Sequence, residues 1–330
     1  MKLLVDVARL EADGVVTPAQ AAAIRRAAAA ETSLLAINLL SMIGIAAIVG
    51  GVVALAPGIA AAAVIGVVLV AGGLLLRRFR AADFGFLGSA LVLIGALLHC
   101  GAVLMDWEGS TAAFAYATVV ILGLGILIRH GFLVALSVFS IAALLGSSTG
   151  YWHAAYALWV EEPTFTIVAF GLLALVAFGL SRLVPLPYQR LARLFALLSV
   201  VWVNFGFWVG SLWGDRPGSS WFGPDAIYGS GSGGDREAAL RRWYEQALQI
   251  PSGVFAVAWA VGLVGLGAWA GWRGQRAAVN AVATFGAIHF YTQWFERLDA
   301  SPATVIAGGI IAVAIAFLLW RYNQMMKRGR

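Results

Sequence analysis

The sequence predicts an all-α fold: a polytopic integral membrane bundle of about ten transmembrane helices behind a small N-terminal cytosolic helical hairpin. Three observations predict it. Hydrophobic residues make up 61% of the 330 and charged residues only 12%, against about 25% charged in an average soluble domain. Apolar stretches near the ~20 residues that cross a bilayer recur along the chain. The arginines gather at alternate ends of those stretches, as the positive-inside rule requires. The composition excludes a disordered chain, a collagen and a conventional cytosolic enzyme.

Residues 1–33 read as the hairpin. Leu3, Leu4, Val7 and Leu10 fall on one helical stripe, and Gly14 stops that helix. Thr17 is an N-cap, Pro18 takes the first helical position and Gln20 completes a capping box. The second helix continues through Ile24 into the alanine run. Lys2, Arg9, Asp6 and Glu11 interrupt any apolar core, so this is no signal peptide.

Residues 34–330 read as the transmembrane bundle. The expected spans are 34–56, 59–76, 84–105, 111–128, 131–148, 164–181, 194–213, 252–272, 277–294 and 302–320, each near the length a bilayer demands. With the N-terminus inside and strict alternation, only Arg216, Arg236, Arg241, Arg242 and Arg297 of the 22 basic residues lie outside. Four of those five share one long loop, where the rule is weak. Both termini are therefore expected in the cytoplasm. All nine prolines fall in loops or at helix ends, so no span is proline-broken. The pairs Gly50-Gly51, Gly72-Gly73 and Gly308-Gly309 could bend a span, but close helix packing is the favoured reading; Gly267 and Gly271 form a GxxxG spacing of the kind found at dimer faces, a weak signal in so glycine-rich a helix.

The outer loop spans 214–251. Its segment 235–249 is amphipathic, with Leu240, Trp243, Tyr244, Ala247 and Leu248 opposite Arg241, Arg242, Glu245 and Gln246. Such a helix lies on the outer membrane surface or plugs the bundle mouth. Tyr151 to Val160 is a second surface segment, ending in Glu161-Glu162.

Motifs for chemistry are few. Gly229, Gly231 and Gly234 match G-x-G-x-x-G, but no strand precedes them. Asp215, Asp225 and Asp235 recur every ten residues, a spacing wrong for a calcium loop and expected of a solvated one. Cys100 is the single cysteine, which excludes an intrachain disulfide. The +6 net charge reflects cytoplasmic loops, and no nucleic-acid partner is expected.

Polar residues inside spans are costly and hence candidates for function. His99, Asn204 and His289 form the candidate polar cavity. Counting along their helices puts His99 at ~22 Å and His289 at ~18 Å from the inner side, in the outer half. Asp106, Glu296 and Asp299 form the candidate acidic outer rim, with Glu108, His153, Glu161 and Glu162 nearby. Such a rim favours a cation or a proton; the plainer expectation is separate helix–helix hydrogen bonds. Tryptophans such as Trp107, Trp159, Trp213 and Trp272 read as interface belts.

The stretch from Leu10 through Gly14 and Thr17 to Gln20, then Ile24, then Gly44 to Gly51, resembles an uncharacterised family of bacterial predicted membrane proteins. That domain of unknown function opens with a cytosolic helical hairpin and continues into many apolar helices. The family often has a tryptophan where this chain has Leu10, and Asn-Trp where it has Ala56-Pro57-Gly58. The resemblance covers the first sixth of the chain closely. It implies a bacterial membrane protein and no established activity, so no site residue is carried over.

The chain is thus expected in the bacterial inner membrane as a multi-pass carrier or channel for a small solute or ion. Its partners would be the lipid bilayer, a small solute or cation, and a protein at the hairpin. A five-plus-five inverted repeat would divide near 149–163. The alternative is a non-catalytic scaffold or sensor binding through the hairpin and the outer loop. An enzyme is not expected, because no acid/base pair is positioned in the spans, and no cofactor or metal is expected.

Overall fold

The computed structural model describes residues 7–24, 40–45, 47–48, 50–51, 58–152, 155–222, 234–274, 276–298 and 301–328. Helix α1 (Val7–Ala12) ends in a Schellman turn. Val15 N–H donates to Leu10 O and Gly14 N–H to Glu11 O, with Gly14 at φ 70°. Residues 18–24 are helical. Their start carries the capping box in both directions: Thr17 N–H donates to Gln20 Oε1 at 2.9 Å, and Gln20 N–H to Thr17 Oγ1 at 3.3 Å. The expected continuation through 25–33, and residues 34–39, 46, 49 and 52–56 of the first span, lie outside the described residues. The described residues of 40–51 are helical.

The chain divides into two compact units, residues 1–137 and 138–330, with the boundary inside helix α5 (Gly131–Leu144). The first unit contains α2 (Ile59–Phe79), α3 (Ala81–Asp106) and α4 (Thr111–Leu127). Helices α2 and α3 form an antiparallel pair whose seam is glycine. A Cβ on Gly73 would sit 2.6 Å from Gly88 O, and one on Gly95 would sit 2.6 Å from Gly66 O. Four glycines spaced by seven let the backbones touch, and small residues let apolar helices associate without a hydrophobic drive. Gly72 faces open space. The Arg77 guanidinium donates to Ser89 Oγ and, at 3.1 Å, to Ile128 O, tying the ends of α2, α3 and α4 together. Behind the seam, Val92, Ala96, Cys100, Ala117, Ile121, Ile128 and Leu133 form the buried core.

Two tight turns here use left-handed residues other than glycine. Glu108 has φ 50° and Arg129 φ 56°. Gly109 N–H donates to Leu104 O and His130 N–H to Gly125 O, both at 2.8 Å, so each closes a Schellman turn. Arg129, the middle of the three residues between α4 and α5, thereby reverses the chain.

The second unit holds β1 (Ser147–Trp152), β2 (Ala155–Val160), α6 (Pro163–Leu183), α7 (Leu186–Trp213), α8 (Ser219–Phe222), α9 (Gly234–Gln246), α10 (Ser252–Trp272), α11 (Arg276–Leu298) and α12 (Pro302–Arg328). Helix α6 packs along α7, and α7 also packs against α10 and α11. Trp202 is the centre of its core, stacked on Phe170 at 5.8 Å and edge-on to Phe139 and Phe205.

Among the described residues, the antiparallel hairpin β1–β2 departs from the expected all-helical chain. The fifth span was expected to reach 148, yet α5 stops at Leu144, and Gly146 turns with φ 74°. Its 14 residues cover about 21 Å. Ser147-Ser148-Thr149-Gly150 disfavours continuing the helix. Elsewhere α7 starts at Leu186 rather than 194, because Pro185 and Pro187 open a polar first turn that hydropathy does not register.

Among the described residues, five stretches are long and apolar enough to cross a membrane: Ile59–Phe79, Asp83–Asp106, Pro163–Leu183, Leu186–Trp213 and Ser252–Trp272. A local break at Phe84 separates the first turn of α3 from its apolar body. Shorter apolar helices are Thr111–Leu127, Gly131–Leu144 and Pro302–Phe317.

Candidate functional site

The polar residues expected within the spans fall in both units. In the first, His99 on α3 reaches across to α2. Its Nδ1 lies 3.0 Å from Ala63 O, a carbonyl that only accepts. A proton therefore rests on Nδ1, and Nε2 pairs with Tyr116 Oη at 2.6 Å. Both ring nitrogens are thus satisfied, beside an apolar cavity of about 370 Å³ lined by Val67, Val70, Ala96, Tyr116 and Val120.

In the second unit, three helices converge on Asn204, which is 8% exposed. Its Nδ2 donates to Val200 O at 2.8 Å, and its Oδ1 accepts from Trp259 Nε1 at 2.9 Å. The Trp259 indole meets the His289 ring edge-on, with centroids 4.8 Å apart. Asn204 and His289 are therefore linked through Trp259. One turn further along α7, Trp208 Nε1 donates to Thr292 Oγ1 at 3.0 Å. Beside this ladder lies a cavity of about 720 Å³, lined by Trp208, Asn280, Thr284, Tyr291, Thr292 and Ala312 among others, with no charged residue.

Of the expected acidic rim, Asp106 ends α3 in the first unit and Glu296 lies on α11 in the second; both are exposed. Asp299 lies outside the described residues, as do His153, Asp225, Gly229 and Gly231. Among the described residues no three acidic, histidine or cysteine side chains cluster as metal ligands.

The sequence reading missed a pair of buried carboxylates in the second unit. Glu162, just before α6, is fully buried. Its Oε2 accepts from Gly218 N–H at 2.8 Å; its Oε1 accepts from Ser220 N–H at 2.7 Å and Ser219 Oγ at 3.2 Å. Asp215, 8% exposed, accepts through Oδ2 from Thr164 N–H at 2.8 Å. The two segments cap each other: the residue before α6 caps the loop after α7, and that loop caps α6. Burial raises the Asp215 pKa, the Thr164 hydrogen bonds oppose the shift, and the Glu162 charge adds to it.

Asp215 is therefore not part of a solvated repeat. It also exchanges backbone hydrogen bonds with Ile250, 2.9 Å each way, closing the loop between α7 and α10 at its base. Gly214 allows this with φ 73°; a Cβ there would meet Ile250 O at 2.6 Å. The readable signal was local: Glu-Glu-Pro-Thr opening one helix, and Gly-Asp-Arg closing the next. What pairs them is tertiary.

No family model, curated protein or solved structure matches this chain. The chemistry must be read from the side chains. The larger cavity is lined by the Trp208 indole, the Asn280 amide, the Thr284 and Thr292 hydroxyls and the Tyr291 phenol among apolar groups, with no charged residue. The buried pair Glu162 and Asp215 offers carboxylates already committed to backbone donors.

Proposed function

We propose that the chain is a ten-span bacterial inner-membrane protein, with both ends in the cytoplasm, that carries a small solute. The observation that carries this reading is the cavity of about 720 Å³ within the second unit, which no charged residue lines and whose wall holds the Trp208–Thr292 hydrogen bond. Polar groups at membrane depth are expensive and mark solute pathways. The arginine asymmetry supports the orientation, and the five long apolar helices with three shorter ones support the bundle.

Thermal unfolding of the purified protein across a small-solute library tests the carrier reading. A ligand at about a hundred times its Kd adds about 2.7 kcal/mol, a shift of several degrees in a protein of this size. Trp208→Phe removes the N–H that reaches Thr292 while keeping most of the aromatic bulk, and should reduce the shift. A library without any stabilising solute, together with proteoliposomes that take none up, would end the carrier reading.

A further inference from the structure

A second cavity, of about 260 Å³, opens beside the mutual caps of the second unit, and its charges are opposed without meeting. Arg216, Glu161 and Asp215 line it together. The Arg216 guanidinium is under-used. Its Nη2 reaches Gln249 Oε1 only at 3.4 Å, its Cζ lies 4.9 Å over the Tyr244 ring, and its Nε is buried with no acceptor. Among the described residues no ion pair closes on it. A buried donor left without an acceptor is costly, and such groups ordinarily signal a missing partner. The Glu161 carboxylate is exposed at the same cavity and accepts no hydrogen bond from the described residues. Asp215 is held in place by Thr164 N–H and by the Ile250 bridge, so it cannot swing over to neutralise the arginine.

We propose that this cavity binds a small zwitterion, its anionic group on Arg216 and its primary ammonium on Glu161 and Asp215. Guanidinium recognises carboxylate or phosphate through paired N–H donors. The volume lies below the range of drug-sized pockets, which suits a ligand of amino-acid size. The same chemistry occurs in a free α-amino acid and in the head group of an ethanolamine phospholipid. Trp213 and Leu248, 76% and 70% exposed nearby in the chain, give this end of the unit an apolar border. As a binding site the cavity stands by itself; as the loading site of a carried solute it rests on the proposed function.

Calorimetric titration of the full-length protein in detergent micelles tests it, with L-alanine, O-phosphoethanolamine, N-acetyl-L-alanine and L-alanine amide as probes. The two zwitterions should bind saturably, and the two charge-deleted probes at least tenfold more weakly. Arg216→Gln and Glu161→Gln should each cost at least tenfold with the melting temperature unchanged, and Arg216→Lys should recover part of the loss. Nanodiscs with and without an ethanolamine phospholipid separate the sources: weaker alanine binding when that lipid is present identifies the head group as the occupant, and unchanged binding identifies the free solute. N-acetyl-alanine binding as tightly as alanine, or Arg216→Gln leaving the zwitterions unaffected, overturns the proposal. Saturable alanine binding without alanine uptake into proteoliposomes removes the carrier reading and leaves the site standing.

Discussion

Glu108 and Arg129 hold left-handed backbone that suits glycine, and each costs free energy for the sharpness of its turn. A Cβ in that conformation is unfavourable by about 1–2 kcal/mol, partly offset by the extra unfolded-state entropy of glycine. Glu108→Gly is therefore expected to stabilise the protein by about 0.5–1 kcal/mol, read as a higher melting temperature in detergent; a lower one contradicts the assignment. Asp215 carries the second residue-scale prediction. Its folded carboxyl holds a proton more tightly than the unfolded chain does, chiefly through burial. That contribution is fully present below the ordinary carboxylate range and is lost as pH rises through it towards the raised folded value. Asp215→Asn keeps an acceptor for Thr164 N–H and removes the titration. Its melting temperature should vary less between pH 4 and 7 than that of the wild type, and an equal slope would locate the linkage elsewhere. The capping box at Thr17 and Gln20 was legible because its partners are three residues apart. The Glu162 and Asp215 caps were not, because their partners lie more than fifty residues away.

Among the elements, the glycine seam between α2 and α3 gives the clearest contrast. Gly72 and Gly73 are neighbours in sequence, yet only Gly73 faces the partner backbone. Gly73→Ala forces a methyl group against Gly88 O, and overpacking of this kind costs about 1–3 kcal/mol. Gly72→Ala meets nothing and should be neutral or slightly stabilising. Parallel melts of the two variants check this, and equal behaviour would remove the seam. The sequence marked the pair as packing residues without saying which one packs, since hydropathy carries no direction around so uniformly apolar a helix. The Gly267–Gly271 spacing has a similar outcome: a Cβ on Gly267 would meet Val282 of α11 at 3.1 Å, so this glycine packs within the chain. Helix α10 matches its expected bounds because Pro251 and Arg273 delimit it chemically. Helix α5 does not, because the serine-rich stretch after it pairs into a hairpin that no periodicity announced.

For the whole molecule, the testable quantity is which side each loop faces. In a Cys100→Ala background, Ser230→Cys should react with a membrane-impermeant thiol reagent from outside, and Gly274→Cys should be protected. The reverse labelling would invert the orientation read from the arginines. Cys100 is itself buried, so it contributes little background even if retained. Helical class and the order of apolar segments were legible at this scale because both follow from composition and length. The division at Ser137 and Val138 was not, because it falls within a single helix that has no linker composition.

The Asp215–Ile250 bridge also makes the loop between α7 and α10 a modular attachment point. The two helices it joins are fixed to each other by the base of the loop, whatever hangs beyond it. A reporter domain or epitope spliced between Phe222 and Gly234 would leave the carboxylate caps and the bridge in place, and each doubling of loop length adds only about 0.6 kcal/mol of closure entropy. That position is where a fluorescent or affinity handle could be grafted onto the loop while α7 and α10 keep their register.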